Sequence, residues 1–270
     1  MAMHDPAAPP ETVRQVLAER GELGYALDPT PTVLEPLVEA LDESPTEGQA
    51  RLLLRNEQLK AQVEDFLFAS RLADLAARDA VAFRTDDAFA NRNLLVFESA
   101  AVQLFDLGGQ LAAVETTAEP VVTALESTLA DQWAAASEFQ LRTPARSAVE
   151  ETIEQELGTD ARSDFTAVID SLETARGTDS GLDEVTIALL VAARNEALLY
   201  DVSKWGEDVG LASKATFSRT KSHLEDLGII ATEKVPIDVG RPRLRLKFAD
   251  ERLQSASADE LASVAMGLLE

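Results

Sequence analysis

The sequence contains no cysteine and only two histidines, His4 and His223. The absence of cysteine excludes disulfide scaffolds, thiolate nucleophiles and the common zinc-binding frameworks. Two histidines so far apart also leave almost no room for a histidine-based metal cluster or a catalytic dyad. We therefore predict that the chain is not an enzyme and that it uses neither a metal nor another cofactor.

Long apolar runs are also missing. No stretch approaches the roughly 20 apolar residues that a membrane-spanning helix needs. The N-terminus lacks the basic and then apolar segments of a secretory signal. The sequence therefore predicts a cytoplasmic protein with no membrane partner.

Positive charge is scarce: 24 Lys and Arg face 48 Asp and Glu, for a net charge of −24. This balance excludes a protein that binds nucleic acid over its whole surface, so any nucleic-acid site must be local. The carboxylates are spread along the chain, which is typical of proteins that work in molar salt, where charge repulsion is screened over about 3 Å. We interpret the composition as that of a halophile; the alternative is an ordinary acidic protein.

At 270 residues the chain has room for two domains. Alternating helical and extended patterns predict an α/β domain over residues 11–143. It would include a strand from Leu23 to Leu27, a strand from Leu52 to Leu54, a long helix carrying Leu59 to Leu75, and a hairpin turning at Gly108 and Gly109. The other predicted segments are a disordered tail over 1–10, a helical connector over 144–181, a winged helix-turn-helix over 182–250, and a C-terminal helix over 251–270 that could contribute a dimer contact.

The helix-turn-helix prediction rests on caps and turns in sequence order. Asp183 can cap a first helix, and Ser213 a third helix from Lys214 to about Leu227. Between them a short helix, Ser203 to Val209, places Gly206 where a neighbouring helix must come close, and Gly210 supplies a left-handed turn. Three helices joined in this way are typical of a helix-turn-helix, which predicts that the third helix reads DNA.

The third helix divides into two faces. Phe217, Leu224 and Leu227 recur at helical spacing and predict the face that packs on the other helices. The outward residues are suited to a major groove, which admits one α-helix. These predicted DNA contacts are Ser213, Lys214, Thr216, Ser218, Arg219, Lys221 and Ser222.

A wing is predicted after this helix. Leu244, Leu246 and Phe248 alternate with Arg243, Arg245 and Lys247, which is the period of a strand with one cationic face. Arg241 in the preceding turn completes the predicted wing contacts, together with Arg243 and Arg245. Residues 211–248 hold eight basic and four acidic residues, a net of +4, and the rest of the chain carries −28. DNA binding requires that these cations are not buried or turned toward the chain's own carboxylates.

The segments 199–219 and 235–246 resemble the TbsP family of haloarchaeal transcriptional regulators, and the resemblance extends over nearly the whole chain. It implies a winged-helix regulator of central sugar metabolism, covering glycolytic and gluconeogenic genes, that binds promoter DNA alongside a TrmB-type regulator. The N-terminal layout is similar to the phospholipase-D-like sensor halves of TrmB-type regulators. Neither histidine is followed two residues later by lysine, so phospholipase-D hydrolysis is excluded.

A metabolite could still bind the N-terminal domain without catalysis, at the carboxyl ends of its strands. Candidates to hold a sugar phosphate or a similar anion are Arg55, Arg84, Thr85 and Arg92, although solvated strand-end residues would look the same. We also expect a homodimer, because one small module buries too little surface for specific DNA affinity. The competing interpretation is a non-catalytic sensor or adaptor whose winged helix contacts protein.

Overall fold

The computed structural model describes residues 2–43, 48–88, 92–174, 182–236 and 242–269. The chain divides into two compact units, residues 1–141 and 142–270. The first unit contains β1 (Ala2–Ala7), α1 (Pro9–Arg20), β2 (Leu23–Leu27), α2 (Pro31–Glu43), β3 (Ala50–Leu54), α3 (Asn56–Gln62), α4 (Phe66–Ala77), β4 (Val81–Thr85), β5 (Leu94–Phe97), β6 (Ala101–Asp106), β7 (Leu111–Thr116), α5 (Glu119–Ala135) and β8 (Ser137–Glu138). The second contains α6 (Arg146–Leu157), α7 (Thr159–Thr174), α8 (Glu184–Arg194), α9 (Leu199–Val209), α10 (Lys214–Asp226), β9 (Ile230–Val235), β10 (Arg243–Phe248), α11 (Glu251–Ser255) and α12 (Leu261–Leu269).

One mixed sheet organises the first unit, with strand order β1-β7-β6-β5-β2-β3-β4-β8. The strands β2, β3 and β4 are parallel and are linked through helices, whereas β5, β6 and β7 form an antiparallel meander. Helices α2 and α4 lie on the face of the sheet that carries the larger apolar cluster, and Leu129 of α5 packs against the other. The predicted α/β class is confirmed.

Several predicted elements of this unit occur where local signals placed them. The strand β2 has the predicted bounds, Leu23–Leu27. The hairpin between β6 and β7 turns through Gly108 and Gly109, at φ 79° and 102°, a region that glycine adopts without strain. The long helix expected from Leu59 to Leu75 is instead two helices. The first, α3, ends at Gln62. Asp65 caps the second, α4, because its Oδ1 accepts hydrogen bonds from the amides of Leu67 at 2.7 Å and Phe68 at 3.1 Å.

Replacing Asp65 with alanine is expected to lower the free energy of unfolding by about 1 kcal/mol, because two amides at the start of α4 lose their acceptor. Asp65→Ser keeps a capping oxygen and should recover most of that loss. Denaturant unfolding of the full chain in molar KCl measures both variants. Equal stability of the alanine and serine variants would contradict the assigned cap.

The N-terminal segment differs from the predicted tail over residues 1–10. Residues 2–7 form β1, which pairs antiparallel with β7 from Ala2 opposite Glu115 to Ala7 opposite Leu111. Helix α1 then begins at Pro9. Without β1, the edge of β7 would present unpaired backbone groups, and strand addition there depends little on side chains. The Ala- and Pro-rich composition of residues 1–10 therefore did not indicate this strand.

The segment predicted as a helical connector over residues 144–181 does contain two helices in its described part, but α6 and α7 belong to the second unit. The indole Nε1 of Trp205 in α9 donates to Thr152 Oγ1 of α6 at 3.0 Å. Asp164 of α7 accepts a hydrogen bond from Asn195 at 2.8 Å and pairs with Arg194 at 3.2 Å. The apolar sides of these helices are buried, including Val149, Ile153, Phe165, Val168, Ile169 and Leu172. Two helices with such apolar faces need a core to bury them.

No described helix is long and apolar enough to cross a membrane.

Candidate nucleic-acid interface

The helix-turn-helix is built around α8. Asp183 caps this helix, as predicted, by accepting a hydrogen bond from the amide of Thr186 at 2.7 Å. Every residue from Val185 to Ala193 is buried, so α8 is the central helix on which the others pack. Helices α7, α9 and α10 and strand β10 all contact it.

The turn between α9 and α10 has the predicted left-handed glycine and the predicted serine cap. Gly210 takes the left-handed conformation at φ 87° and ψ 18°, and Ser213 Oγ accepts from the amide of Thr216 at 3.2 Å. At Gly206 a Cβ would lie 2.3 Å from two ring carbons of Phe217. The absence of a side chain at Gly206 is therefore what lets the Phe217 ring lie against α9 and fixes the position of α10.

Two of the three predicted anchors of α10 are buried, namely Phe217 and Leu224. The prediction for Leu227 is wrong, because 42% of this residue is exposed. Leu227 caps the helix and still has helical dihedral angles (φ −80°, ψ −5°), but the chain turns back at Gly228, and the amide of Ile229 donates to the carbonyl of Leu224 at 2.9 Å. The buried Ile229 and Ile230 complete the core there.

An exposed polar stripe runs along α10. Its members Ser213, Lys214, Ser218, Arg219 and Ser222 are exposed, and Thr216 is half-buried. Arg219 Nη2 lies 3.5 Å from Thr216 Oγ1, and Ser222 Oγ donates to the carbonyl of Ser218 at 3.1 Å. Within the described residues, Arg219 has no carboxylate at ion-pair distance, unlike the other predicted cations, so its guanidinium can contact a base edge directly.

The wing strands are confirmed as an antiparallel pair, with Arg243 opposite Val235 and Phe248 opposite Ile230. A third short segment joins them, because Leu198 pairs with Arg245 and the amide of Leu246 donates to the carbonyl of Ala197 at 2.9 Å. Leu246 faces the core, and the cations alternate with it along β10. Arg241 lies outside the described residues.

Most of the predicted DNA-binding cations are turned toward the chain's own carboxylates. Lys214 Nζ lies 2.5 Å from Glu207 Oε2, Arg243 Nη1 lies 3.2 Å from Asp201 Oδ1, and Arg245 Nη1 lies 3.9 Å from Glu196 Oε2. These three carboxylates come from outside residues 211–248, so they reduce the net charge of that region from +4 to +1. The predicted condition that the cations be free of internal partners is not met, and as a requirement it was too strict, because exposed ion pairs are weak enough to exchange one anion for another.

These exposed ion pairs can exchange one anion for another. The hydrogen bond from the Lys214 side chain lowers the pKa of Glu207, and the same contact raises the pKa of Lys214. Both side chains are 45% exposed, and exposed ion pairs contribute little net stability and weaken with salt. A phosphate can therefore take the place of the carboxylate at Lys214.

Two cations have contacts beyond a simple exposed ion pair. The Lys221 side chain is only 12% exposed and pairs at 2.7 Å with Glu225, which also accepts from Thr232 Oγ1 of β9. Lys221 thus lies between α10 and the wing, contrary to its predicted outward position. The Arg243 guanidinium stacks over the Tyr200 ring at 3.8 Å, in addition to its pair with Asp201. Sequence spacing gave no signal for Tyr200, Asp201 or Glu207, because each lies on another helix.

The effector candidates of the first unit do not converge on one site. Arg55 Nε lies 3.2 Å from both carboxylate oxygens of Asp28, a fully buried residue that sequence reasoning missed. Arg84 donates to the carbonyl of Trp133 at 2.8 Å and covers its ring at 5.1 Å. Arg92 is exposed, and its carbonyl accepts a hydrogen bond from the Gln103 side chain. Arg55 is therefore already neutralised by Asp28, and Arg84 is already engaged in a structural contact with Trp133.

Thr85 is buried and lines a cavity of about 430 Å³ at the carboxyl ends of β3 and β4. The cavity is lined by Asn56, Thr85, Asp86, Asp87, Ala135, Ala136, Ser137 and Glu138. Three carboxylates around one cavity disfavour a phosphate, which is the ligand chemistry that the sequence predicted. In the parts of the chain that the structure describes, no cluster of His, Asp and Glu is suited to a metal ion.

Two family models together match almost the whole chain. The model for the N-terminal domain of TbsP-like transcriptional regulators matches residues 6–144, and the model for their C-terminal helix-turn-helix domain matches residues 145–266. The boundary between the matches agrees with the division of the structure after Leu141. No curated protein matches the chain significantly.

Among solved structures, that of TrmBL2, an archaeal chromatin protein with a novel mode of DNA binding, is similar at 15% sequence identity and a TM-score of 0.35. The likeness covers 52% of this chain and 54% of that chain, so the match spans about half the length of each. A likeness of this strength carries no functional argument.

Proposed function

Because this chain belongs to the TbsP-like family of transcriptional regulators, we propose that it reads a specific promoter sequence with the outward face of α10 in the major groove. It is a DNA-binding transcriptional regulator and not an enzyme. The observation that carries the proposed readout is the exposed stripe of α10 with Arg219 at its centre, on a helix fixed by the Gly206–Phe217 contact.

The roles within this stripe follow from side-chain chemistry. A guanidinium can donate two parallel hydrogen bonds to guanine, so Arg219 is proposed to specify a base. Lys214 and the hydroxyls of Ser213 and Ser218 lie toward the start of the helix, where groups that contact phosphates position a protein on the duplex. Arg243 and Arg245, with Arg241, are proposed to contact the backbone beside the groove.

We also propose a homodimer that reads two half-sites. A single winged module buries less surface than specific binding usually needs, so two modules on one operator supply the missing contacts. The half-sites would be separated by about one helical turn or a multiple of it.

The family resemblance supports central sugar metabolism as the regulated set of genes, with promoters shared with a TrmB-type regulator. The acidic composition supports a halophilic host, in whose molar salt counterion release is a weak source of affinity. The acidic cavity beside Thr85 favours an uncharged or cationic effector over a sugar phosphate, if a metabolite binds the first unit there.

The test is selection of fragments from the host genome by the purified full chain in 2 M KCl, followed by footprinting. We expect enrichment of promoter fragments that share a motif, with protected bases in two half-sites. Failure to enrich any fragment over the range 0.2–3 M KCl would contradict DNA readout. That outcome would favour the adaptor interpretation. The observation that supports this alternative is that Lys214 and Arg243 are paired with carboxylates of the same chain.

Chromatin immunoprecipitation with and without a sugar carbon source tests the proposed targets. Enrichment at genes of glycolysis and gluconeogenesis that changes with the carbon source supports the assignment. Enrichment confined to other genes would overturn it and leave DNA binding intact.

A further inference from the structure

The internal partners of the DNA-facing cations form a pattern across the whole surface. Of the five predicted DNA-binding cations in the described residues, four have a carboxylate within 4 Å. The partners Glu207 and Asp201 belong to α9, Glu196 to the turn between α8 and α9, and Glu225 to α10 itself. The predicted DNA-binding surface therefore carries carboxylates of the same chain beside its cations.

The contact at the start of α10 shows how such an anion occupies the place of a phosphate. Glu207 Oε2 accepts from the Lys214 ammonium, while Oε1 lies 3.4 Å from the Lys214 amide. On the wing, Asp201 accepts a hydrogen bond from the Arg243 guanidinium at 3.2 Å, and 44% of the Asp201 side chain is exposed. These carboxylates can swing away, because their side chains are exposed and flexible.

We propose that Glu207, Asp201 and Glu196 are internal counter-ions that DNA phosphates displace, so that DNA binding is coupled to uptake of monovalent cations by the released carboxylates. This inference rests on the proposed DNA binding and explains how that binding withstands molar salt. It makes the three carboxylates determinants of the salt dependence, although none of them contacts DNA in the complex.

The physical argument is one of ion balance. Each phosphate that a protein neutralises releases about 0.9 of a cation from the DNA, so six contacts cost about five decades of affinity for a tenfold rise in salt. A carboxylate that loses its lysine or arginine and lies close to DNA phosphates attracts a cation in turn. Cations released from DNA are then partly taken up by the protein, and the net dependence on salt becomes shallower.

The test measures the slope of log K against log [KCl] between 0.2 and 3 M, with a selected promoter fragment and the full chain. We compare Glu207→Gln and the triple variant Glu196→Gln, Asp201→Asn, Glu207→Gln with the wild type. Each neutralised carboxylate should raise affinity about two- to five-fold at 0.2 M KCl. It should also make the slope more negative by a few tenths to about 0.9, the value for one full counterion.

The matched controls remove the same number of charges from ion pairs of α6 and α7. Glu154 pairs with Arg162, and Glu150 and Asp170 pair with Arg146 at 2.8 and 2.7 Å. Glu154→Gln matches Glu207→Gln, and the triple variant Glu150→Gln, Glu154→Gln, Asp170→Asn matches the interface triple. Because both sets change the net charge equally, a general charge effect would move them together. Thermal unfolding in 2 M KCl identifies any variant that is misfolded.

If interface and control variants show the same slope and affinity, the internal counter-ion role is overturned while DNA binding stands. A steeper slope in the interface variants alone supports it. If the wild type binds no DNA under any condition, the proposed function itself fails, which is a separate result from an unchanged slope.

Discussion

Gly206→Ala is expected to destabilise the C-terminal unit by up to about 2 kcal/mol and to weaken DNA binding through loss of the position of α10. The added methyl would lie 2.3 Å from ring carbons of Phe217, which is fully buried and has little freedom to move. Overpacking of a filled core typically costs about 1–3 kcal/mol, from which the roughly 1 kcal/mol that alanine gains over glycine inside a helix is subtracted. Denaturant unfolding in 2 M KCl measures the change.

A matched substitution separates packing from helix propensity. Gly267 lies inside α12, and no atom lies within 4 Å of a Cβ added there. Gly267→Ala should therefore stabilise the chain by about 0.5–1 kcal/mol, through propensity alone. Phe217→Leu, combined with Gly206→Ala, should recover part of the loss because the smaller side chain leaves space for the methyl. If Gly206→Ala stabilises the chain as Gly267→Ala does, the close approach of α9 and α10 is refuted.

Arg219→Ala is expected to weaken binding to the selected promoter site by about 10- to 100-fold, with little change in the affinity for unrelated DNA. Loss of a bidentate contact to a base typically costs about 1–3 kcal/mol of discrimination. The fold should be unaffected, because Arg219 is exposed and its one described hydrogen-bond partner is Thr216 at 3.5 Å. Arg219→Lys should recover little, since an ammonium cannot reproduce the planar fork.

Arg252→Ala is the matched control for this prediction. Arg252 lies in α11 of the same unit, 64% of its side chain is exposed, and it pairs with Asp250 at 2.9 Å. Its removal takes away the same charge at a position outside α10 and the wing. Titration by fluorescence anisotropy with specific and scrambled duplexes measures both variants. Equal losses on both duplexes, or wild-type affinity of Arg219→Ala on the specific one, would rule out base readout by Arg219.

The sequence by itself determined the elements of the helix-turn-helix. Asp183 and Ser213 cap the helices they were expected to cap, and Gly210 makes the left-handed turn. The wing alternation also placed Leu246 in the core and the cations on the other face. These features follow from backbone preferences and side-chain periods that depend on residues a few positions apart. Glycine at position 206 was also predicted to mark the close approach of a neighbouring helix, although the ring that lies against it, Phe217 of α10, was identified only by the structure.

Only the tertiary structure decided what the charged side chains do. Arg243 pairs with Asp201, 42 positions away, and Arg55 pairs with the buried Asp28, which directly follows β2. It also decided that α6 and α7 pack with the helix-turn-helix and that residues 2–7 join the sheet. Ion pairs and edge-strand pairing are set by which elements come together in space. A charge count along the chain therefore located the cationic region but did not reveal the carboxylates that neutralise much of it.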